Sequence, residues 1–207
     1  MSIPTTVPPN PVSEWSDYFE STLDKPLHPL FRELEPYLTP IGRALDLGCG
    51  VGHAVLWLAS KGWEVEAVDG HPEALEVLTK RIDASLRDRI SLKEQMLEAA
   101  TIPRCSYELI IAAYSLFFLQ DREAFARVWR RIRAGLKPGG LFLGEFLGFR
   151  DDWANELLTH DRRQVRTLLR GLEVLSFEEA EQDGHTSQGT EKHWHVFHVI
   201  ARKPVQP

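Results

Sequence analysis

Three glycines with one-residue spacing, Gly48-x-Gly50-x-Gly52, follow the acid Asp46 and lead into an apolar helical run. Glycine accepts a left-handed backbone and leaves the main chain bare, so a ligand can lie where any Cβ would collide. The first turn of the following helix adds unpaired N–H groups and the positive end of a dipole. That chemistry is recognition of a nucleotide-like group. A second acid, Asp69, stands 21 residues after Gly48, at the end of the next apolar run. A carboxylate there can accept hydrogen bonds from ribose hydroxyls. The dinucleotide fingerprint G-x-G-x-x-G needs glycine where this chain has His53, so the turn departs from it. Cys49, between two glycines, reads as a small buried lining residue, because no sequence neighbour is set to activate it as a nucleophile.

The elements that must position these groups follow from periodicity. Ala44–Leu47 reads as the first strand, and Gly52–Lys61 as a helix stopped by Gly62. Glu64–Val68 is a second strand, and Pro72–Leu86 a helix with Leu75, Leu78, Ile82 and Leu86 on one stripe. Strands follow at Ile90–Lys93 and Tyr107–Ala113. Asp121 caps a helix with Phe125, Val128, Trp129, Ile132 and Leu136 on its apolar face. Lys137–Gly140 is a turn before a strand at Leu141–Leu147. Asp161-x-x-Gln164 has the pattern of a capping box. Two last strands, Leu172–Glu178 and His193–Ala201, are joined by a polar loop over 182–192. Alternation of strand and helix implies a parallel, doubly wound α/β sheet, and the final hairpin adds an antiparallel strand. Upstream, Glu14–Asp24 is a short aromatic helix, and Pro29 opens another through Leu38.

The chain has 207 residues, 43% hydrophobic and 26% charged, which fits one globular domain with a large core. Its net charge of −6 and the lack of a basic patch argue against a nucleic-acid partner. The run Arg127-x-x-Arg130-Arg131-x-Arg133 reads as a solvated helix face. No apolar run approaches the ~20 residues of a membrane helix. Met1–Pro11 has four prolines and no apolar signal core, so it reads as a tail rather than a leader. Two cysteines without a C-x-x-C pair favour a reducing cytoplasm.

With the glycine turn, Asp69, the Leu136-Lys-Pro-Gly-Gly140 turn and the closing hairpin together, the chain resembles the class I S-adenosylmethionine-dependent methyltransferases over roughly Leu38 to Lys203. The resemblance implies a Rossmann-like sheet of seven strands in the order 3-2-1-4-5-7-6, strand 7 antiparallel, with helices on both faces. It implies S-adenosyl-L-methionine as cofactor. Asp46, Gly48, Cys49, Gly50 and Gly52 match the methionine-side turn. Asp69 matches the ribose acid, Gly70 and His71 positions beside the adenine, and Gln95, Met96 and Leu97 the segment covering the adenine. Ala113 and Tyr114 match the backbone position that meets the cofactor amino group. The tail from Glu178 to Lys203 is similar to that of tellurite-resistance-type methyltransferases and their small bacterial relatives.

The expected division is a tail and N-terminal helical lid over residues 1–38, then a cofactor-binding domain over 39–207. The expected reaction is methyl transfer to a small-molecule acceptor, a thiol, oxyanion or similar, by a monomer or homodimer. Trp15, Tyr18 and Phe19 either cover the acceptor pocket or pack as an apolar stripe; loss of residues 1–25 is expected to spare cofactor binding but damage turnover. Ser115, Phe146 and Arg150 are candidate acceptor contacts, because they follow strand ends where ligands bind. Arg150 could clamp an anion or pair with Asp151 or Asp152. Tyr114, Glu145 and His193 are candidate bases for an acceptor that must lose a proton. His193-x-His195 puts two imidazoles on one strand face, but nothing points to further metal ligands, and no metal is expected. Trp194 reads as core. The rivals are an NAD(P)-dependent reductase and a non-catalytic adenosyl-binding regulator.

Overall fold

The computed structural model describes residues 15–205, so the expected tail at Met1–Pro11 lies outside the described residues. The elements are α1 (Trp15–Thr22), α2 (Leu30–Leu34), β1 (Arg43–Leu47), α3 (His53–Ser60), β2 (Glu64–Asp69), α4 (Pro72–Arg81) and β3 (Ile90–Glu94). They continue as β4 (Tyr107–Ala112), α5 (Arg122–Gly135), β5 (Leu136–Gly148), β6 (Thr159–His160), α6 (Arg162–Leu168), β7 (Glu173–His185) and β8 (Glu191–Arg202). The strands form one sheet in the order β3-β2-β1-β4-β5-β8-β7, parallel through β5, with β8 antiparallel to both β5 and β7. This is the expected path. The difference is β6, a two-residue strand paired with the end of β5, which shifts the later numbers by one.

β1 and β4 are near-continuous apolar runs because both of their faces are covered. Successive residues point to opposite sides. Ile110 and Phe142 therefore pack with α5 through Trp129 and Ile132, while Leu109, Ile111 and Leu143 pack with α3 and α4 through Leu58 and Leu78. The helix ends follow the sequence signals. Asp121 accepts the Ala124 N–H (2.7 Å), and Asp161 and Gln164 form a reciprocal capping box (2.6 and 2.8 Å).

Several elements differ from expectation: β5 starts at Leu136, so the expected turn Lys137–Gly140 lies within it as a bulge between the pairs Tyr107–Leu136 and Leu109–Leu141, and the helix expected through Leu38 ends at Leu34 and continues as a 3-10 turn. α4 stops at Arg81, because Asp83 turns its carboxylate to the Ser85 N–H (2.8 Å) and starts a separate 3-10 turn over Ala84–Arg89. The β7–β8 hairpin runs on through the expected loop, with Gln182 opposite Trp194 and Asp183 opposite His193. Its outer half is polar because it projects past the sheet, where no core imposes an apolar alternation.

Candidate functional site

At the carboxyl ends of β1, β2 and β4 lies an open cavity of about 1020 Å³. One end is built by the glycine turn. Gly48 and Cys49 donate their N–H groups to the Val68 carbonyl (2.8 and 3.0 Å), which ties the turn to β2. Gly50 has φ +49°, and a Cβ there would meet nothing within 4 Å, so bare backbone faces open space. The Asp69 carboxylate accepts the N–H of Gly50 on one oxygen and that of His71 on the other, both at 2.9 Å. Asp46, Cys49, Gly70, His71, Met96, Leu97 and Ala113 also line this end. Burial, then Asp69 and Glu145, push the Asp46 carboxyl up to about 7. Burial pushes the Cys49 thiol up as well, so it stays a thiol and no nucleophile.

Two residues expected in this group serve it from outside the cavity. Gly52 does not line it; a Cβ there would strike Leu78 at 2.2 Å, so this glycine lets α3 approach α4. Gln95 is a brace. Its N–H donates to the Asp69 carbonyl (2.9 Å), and its side chain accepts the Thr101 N–H (3.4 Å).

The aromatics of α1 line the cavity, Trp15 and Phe19 beside His71, and Tyr18 within electrostatic reach of both Asp69 and Tyr114. The Trp15 ring lies 4.7 Å from His71 and 5.3 Å from Phe118, and Phe19 lies 6.0 Å from His71. Tyr18 is partly buried, and burial followed by the Asp69 charge raises its phenol pKa. The helix is tied down by polar contacts to its end. His53 Nε2 lies 2.7 Å from the Thr22 carbonyl, and Arg81 donates to the carbonyls of Val51 (2.5 Å) and Leu23 (3.3 Å).

The opposite end centres on Tyr114, whose backbone is left-handed at φ +52°. Glu145, 1% exposed on β5, holds that conformation by accepting the Tyr114 N–H (3.0 Å); its other oxygen lies 3.6 Å from His198 Nδ1. Glu145 is thus a buried brace behind the cavity wall rather than a base within it. The Tyr114 hydroxyl lies 3.4 Å from His28 Nε2, and the His28 ring stacks on His198 at 5.4 Å. Burial lowers the His28 pKa more than Glu145 raises it, so the ring is neutral. Burial and Glu145 raise the Tyr114 pKa, so its phenol keeps its proton. Phe117, Trp153 and Trp194 complete the wall, and Thr186, Ser187, Gln188 and Thr190 from the hairpin tip overhang it. The Ser115 hydroxyl is buried without a partner among the described residues.

Three expected site residues are turned elsewhere. His193 sits outside the cavity, 2.6 Å from Asp183 and 3.4 Å from Glu181, because alternation on β8 sends Trp194, not His193, inward. Arg150 pairs bidentately with Glu181 (2.6 and 2.5 Å) on the outer face, 58% exposed. Its partner is neither an acceptor nor the neighbouring aspartates. Phe146 is core, packed with Phe125, Trp129 and Phe142 on the face opposite Glu145. His28, Phe117 and the inward face of Trp194 were not foreseen; the alternation of β8 could have found Trp194, while no local signal marks His28. Among the described residues no group of three His, Cys, Asp or Glu is placed to hold a metal ion.

Residues 44–140 match a methyltransferase-domain family model. Hemagglutinin 1 of Eikenella corrodens is 28% identical over 92% of this chain and 64% of its own length. Methyltransferase GfsG of Streptomyces halstedii is 34% identical over 47% of this chain and 35% of its own. The chain thus spans less than two thirds of either relative. The crystal structure of TehB from Haemophilus influenzae shares the fold, with a TM-score of 0.72 at 19% identity over 92% of this chain and 67% of that one. The matched segment, just under half of the chain, is the one that carries Asp46, the glycine turn, Asp69 and Tyr114, and over it the chain is similar to a methyltransferase domain.

Proposed function

We propose that this chain transfers a methyl group from S-adenosylmethionine to a small-molecule acceptor. One observation carries the reading: a single cavity runs from the bare turn and Asp69 to the Tyr114–His28 pair, so a cofactor site and an acceptor site share one continuous space. The residues present fit the cofactor. A carboxylate has about four acceptor sites. Gly50 and His71 use two of those of Asp69, which leaves two for ribose hydroxyls. Bare Gly50, with open space in front of it, suits close approach of the methionine part, and His71 and Met96 flank the base. When bound, the cofactor would supply a sulfonium-activated methyl group for in-line displacement by an acceptor heteroatom, the C–S bond breaking as the new bond forms and any acceptor proton leaving to solvent on the open side of the cavity. The protein's part is to orient that heteroatom.

His28 and Tyr114 do the orienting. The Leu30 N–H donates to His28 Nδ1 (3.3 Å), which places the single proton of the neutral ring on Nε2, facing the Tyr114 oxygen. Tyr114 is left to aim its own proton into the cavity, as a donor to the acceptor heteroatom. Tyr114→Phe is expected to lower kcat roughly ten-fold or more, the usual loss for one polar contact to a reacting group. His28→Gln keeps an N–H donor and should retain most activity, while His28→Ala should not. Equal losses in the glutamine and alanine variants would assign His28 as a base instead.

The lining holds Lys25 as its one cation among the described residues, against Asp46, Asp69, Glu98 and Glu156, which disfavours a nucleic-acid substrate. No helix among the described residues is long and apolar enough to cross a membrane. Cys49 and Cys105 are unpaired, consistent with work in the cytoplasm. Residues 15–38 act as a cover on the nucleoside end of the 39–207 domain. Trp15→Ala is therefore expected to weaken S-adenosylmethionine binding about five-fold, from loss of roughly 1 kcal/mol of aromatic contact. Unchanged affinity by calorimetry would return α1 to a purely structural role.

The test of the whole reading is titration with S-adenosylmethionine and with NADH, followed by an acceptor screen read by S-adenosylhomocysteine formation. Binding of NADH without response to the methyl donor would favour a reductase. Cofactor binding without turnover on any acceptor would favour a regulator.

A further inference from the structure

We infer that the acceptor is an uncharged, flat aromatic compound, seated against an indole wall that the buried Lys192–Asp151 pair holds in place. The word acceptor rests on the methyl-transfer reading; the binding claim rests on the wall.

Trp153 and Trp194 come from the segment after β5 and from the start of β8, and they meet at the cavity with ring centroids 5.5 Å apart. Tyr114 stands edge-on to Trp194 at 6.1 Å, and Phe117 edge-on to Tyr114 at 6.2 Å. Four aromatic rings from three parts of the chain thus bound one space. Behind the indoles lies Lys192, its ammonium 4.4 Å from the Trp153 ring and 4.0 Å from the Trp194 ring. That ammonium is paired with Asp151, and the two side chains are 1% and 0% exposed. Asp151 also accepts the backbone N–H of Trp153 on the oxygen that meets Lys192, and that of His195 on the other, each at 3.0 Å. One buried carboxylate therefore fixes both backbone segments that carry the indoles, and one buried cation fixes the rings.

This arrangement selects by charge as well as shape. Lys192 is spent on Asp151 and shielded by the rings, which leaves Lys25, three residues before His28, as the one ammonium on the lining among the described residues. An oxyanion entering there would lose its water, find no guanidinium, and meet Glu98 and Glu156 on the lining against the single ammonium of Lys25. A cation fares little better. Indoles attract cations through the electron-rich faces of their rings, and Lys192 already draws on both. What remains favourable is dispersion and edge-to-face contact with a neutral ring. Uncharged groups at the hairpin tip, Thr186, Ser187, Gln188 and Thr190, can meet its substituents. The oxyanion acceptors suggested by the resemblance of the tail to tellurite-resistance-type enzymes do not suit this wall.

The test is calorimetry on the full chain saturated with S-adenosylhomocysteine, using a naphthol, the matching naphthoate, the matching naphthylmethylammonium and selenite. The naphthol is expected to bind at least roughly ten-fold tighter than any charged probe. Trp153→Ala and Trp194→Ala should each weaken naphthol binding about ten-fold and leave S-adenosylhomocysteine affinity within about two-fold. Lys192→Met combined with Asp151→Asn avoids an unpaired buried charge, and should weaken naphthol binding several-fold by loosening both indoles. A smaller preference for the naphthol, or undiminished naphthol binding in the tryptophan variants, overturns the inference. Failure of the parent protein to bind S-adenosylhomocysteine would instead overturn the methyl-transfer reading beneath it.

Discussion

Asp69→Ala is expected to weaken S-adenosylmethionine binding on the order of 100-fold, about 3 kcal/mol, while the protein stays folded. The ribose contacts alone would account for roughly 1.5–3 kcal/mol, as hydrogen bonds to a charged group. The structure adds a second loss. The same carboxylate holds the N–H of Gly50 and of His71, so its removal frees the turn on one side of the cofactor and the strand end on the other. Asp69→Asn should do nearly as badly. An amide offers one acceptor oxygen, and its NH2 group would face a backbone N–H, donor against donor. The fold should survive because Asp69 ends β2 and belongs to neither main core cluster. Calorimetry with S-adenosylmethionine, beside a thermal melt, checks this; an affinity within about three-fold of the parent would remove Asp69 from the cofactor site.

The legible half of the site was the half written in local sequence. Asp46, the glycines and Asp69 lie at strand ends and in one tight turn, where a special backbone demands special residues. Alternating periodicities made a parallel sheet with a closing hairpin legible, while the strand order followed from the resemblance to class I methyltransferases. The acceptor end is assembled from segments far apart in sequence. His28 precedes β1, Tyr114 ends β4, and Trp194 opens β8, yet they share one wall. Where alternation decided orientation, a shift of one residue reversed the outcome. On β5, Glu145 faces Tyr114 while Phe146 faces the core; on β8, Trp194 and His198 face inward while His193 and His195 meet the acids of β7. A strand covered on both faces gives no apolar–polar contrast from which to read that parity. The reach of the hairpin over the cavity was equally hidden, because its polar tip has the composition of a loop.

Thermal stabilisation by S-adenosylmethionine is expected to grow as pH rises from about 5 to about 8, and the growth should vanish in Asp46→Asn. The Asp46 carboxyl is pushed up to about 7 by burial, by Asp69 and by Glu145. In the unfolded chain it reverts to the ordinary value near 3.9. Between those two values the folded protein holds a proton that the unfolded chain has lost. Raising the pH through that window therefore removes stability, by up to about 4 kcal/mol for a three-unit shift. His28 and His53 act with the opposite sign, because burial lowers their pKa values and the unfolded chain protonates first as pH falls. The asparagine variant is needed to separate the terms. A cofactor of net positive charge entering beside Asp46 favours the ionised carboxylate, and so restores above neutrality what ionisation removed. Asp46→Asn should accordingly raise the ligand-free melting temperature at about pH 8, and by roughly a third as much at about pH 5, where only the unfolded chain is ionised; cofactor binding should weaken at about pH 8 and change little at about pH 5. A parent and variant with the same pH slope, measured with and without S-adenosylmethionine, would show that the acid beside the glycine turn is not the group that couples folding to the cofactor.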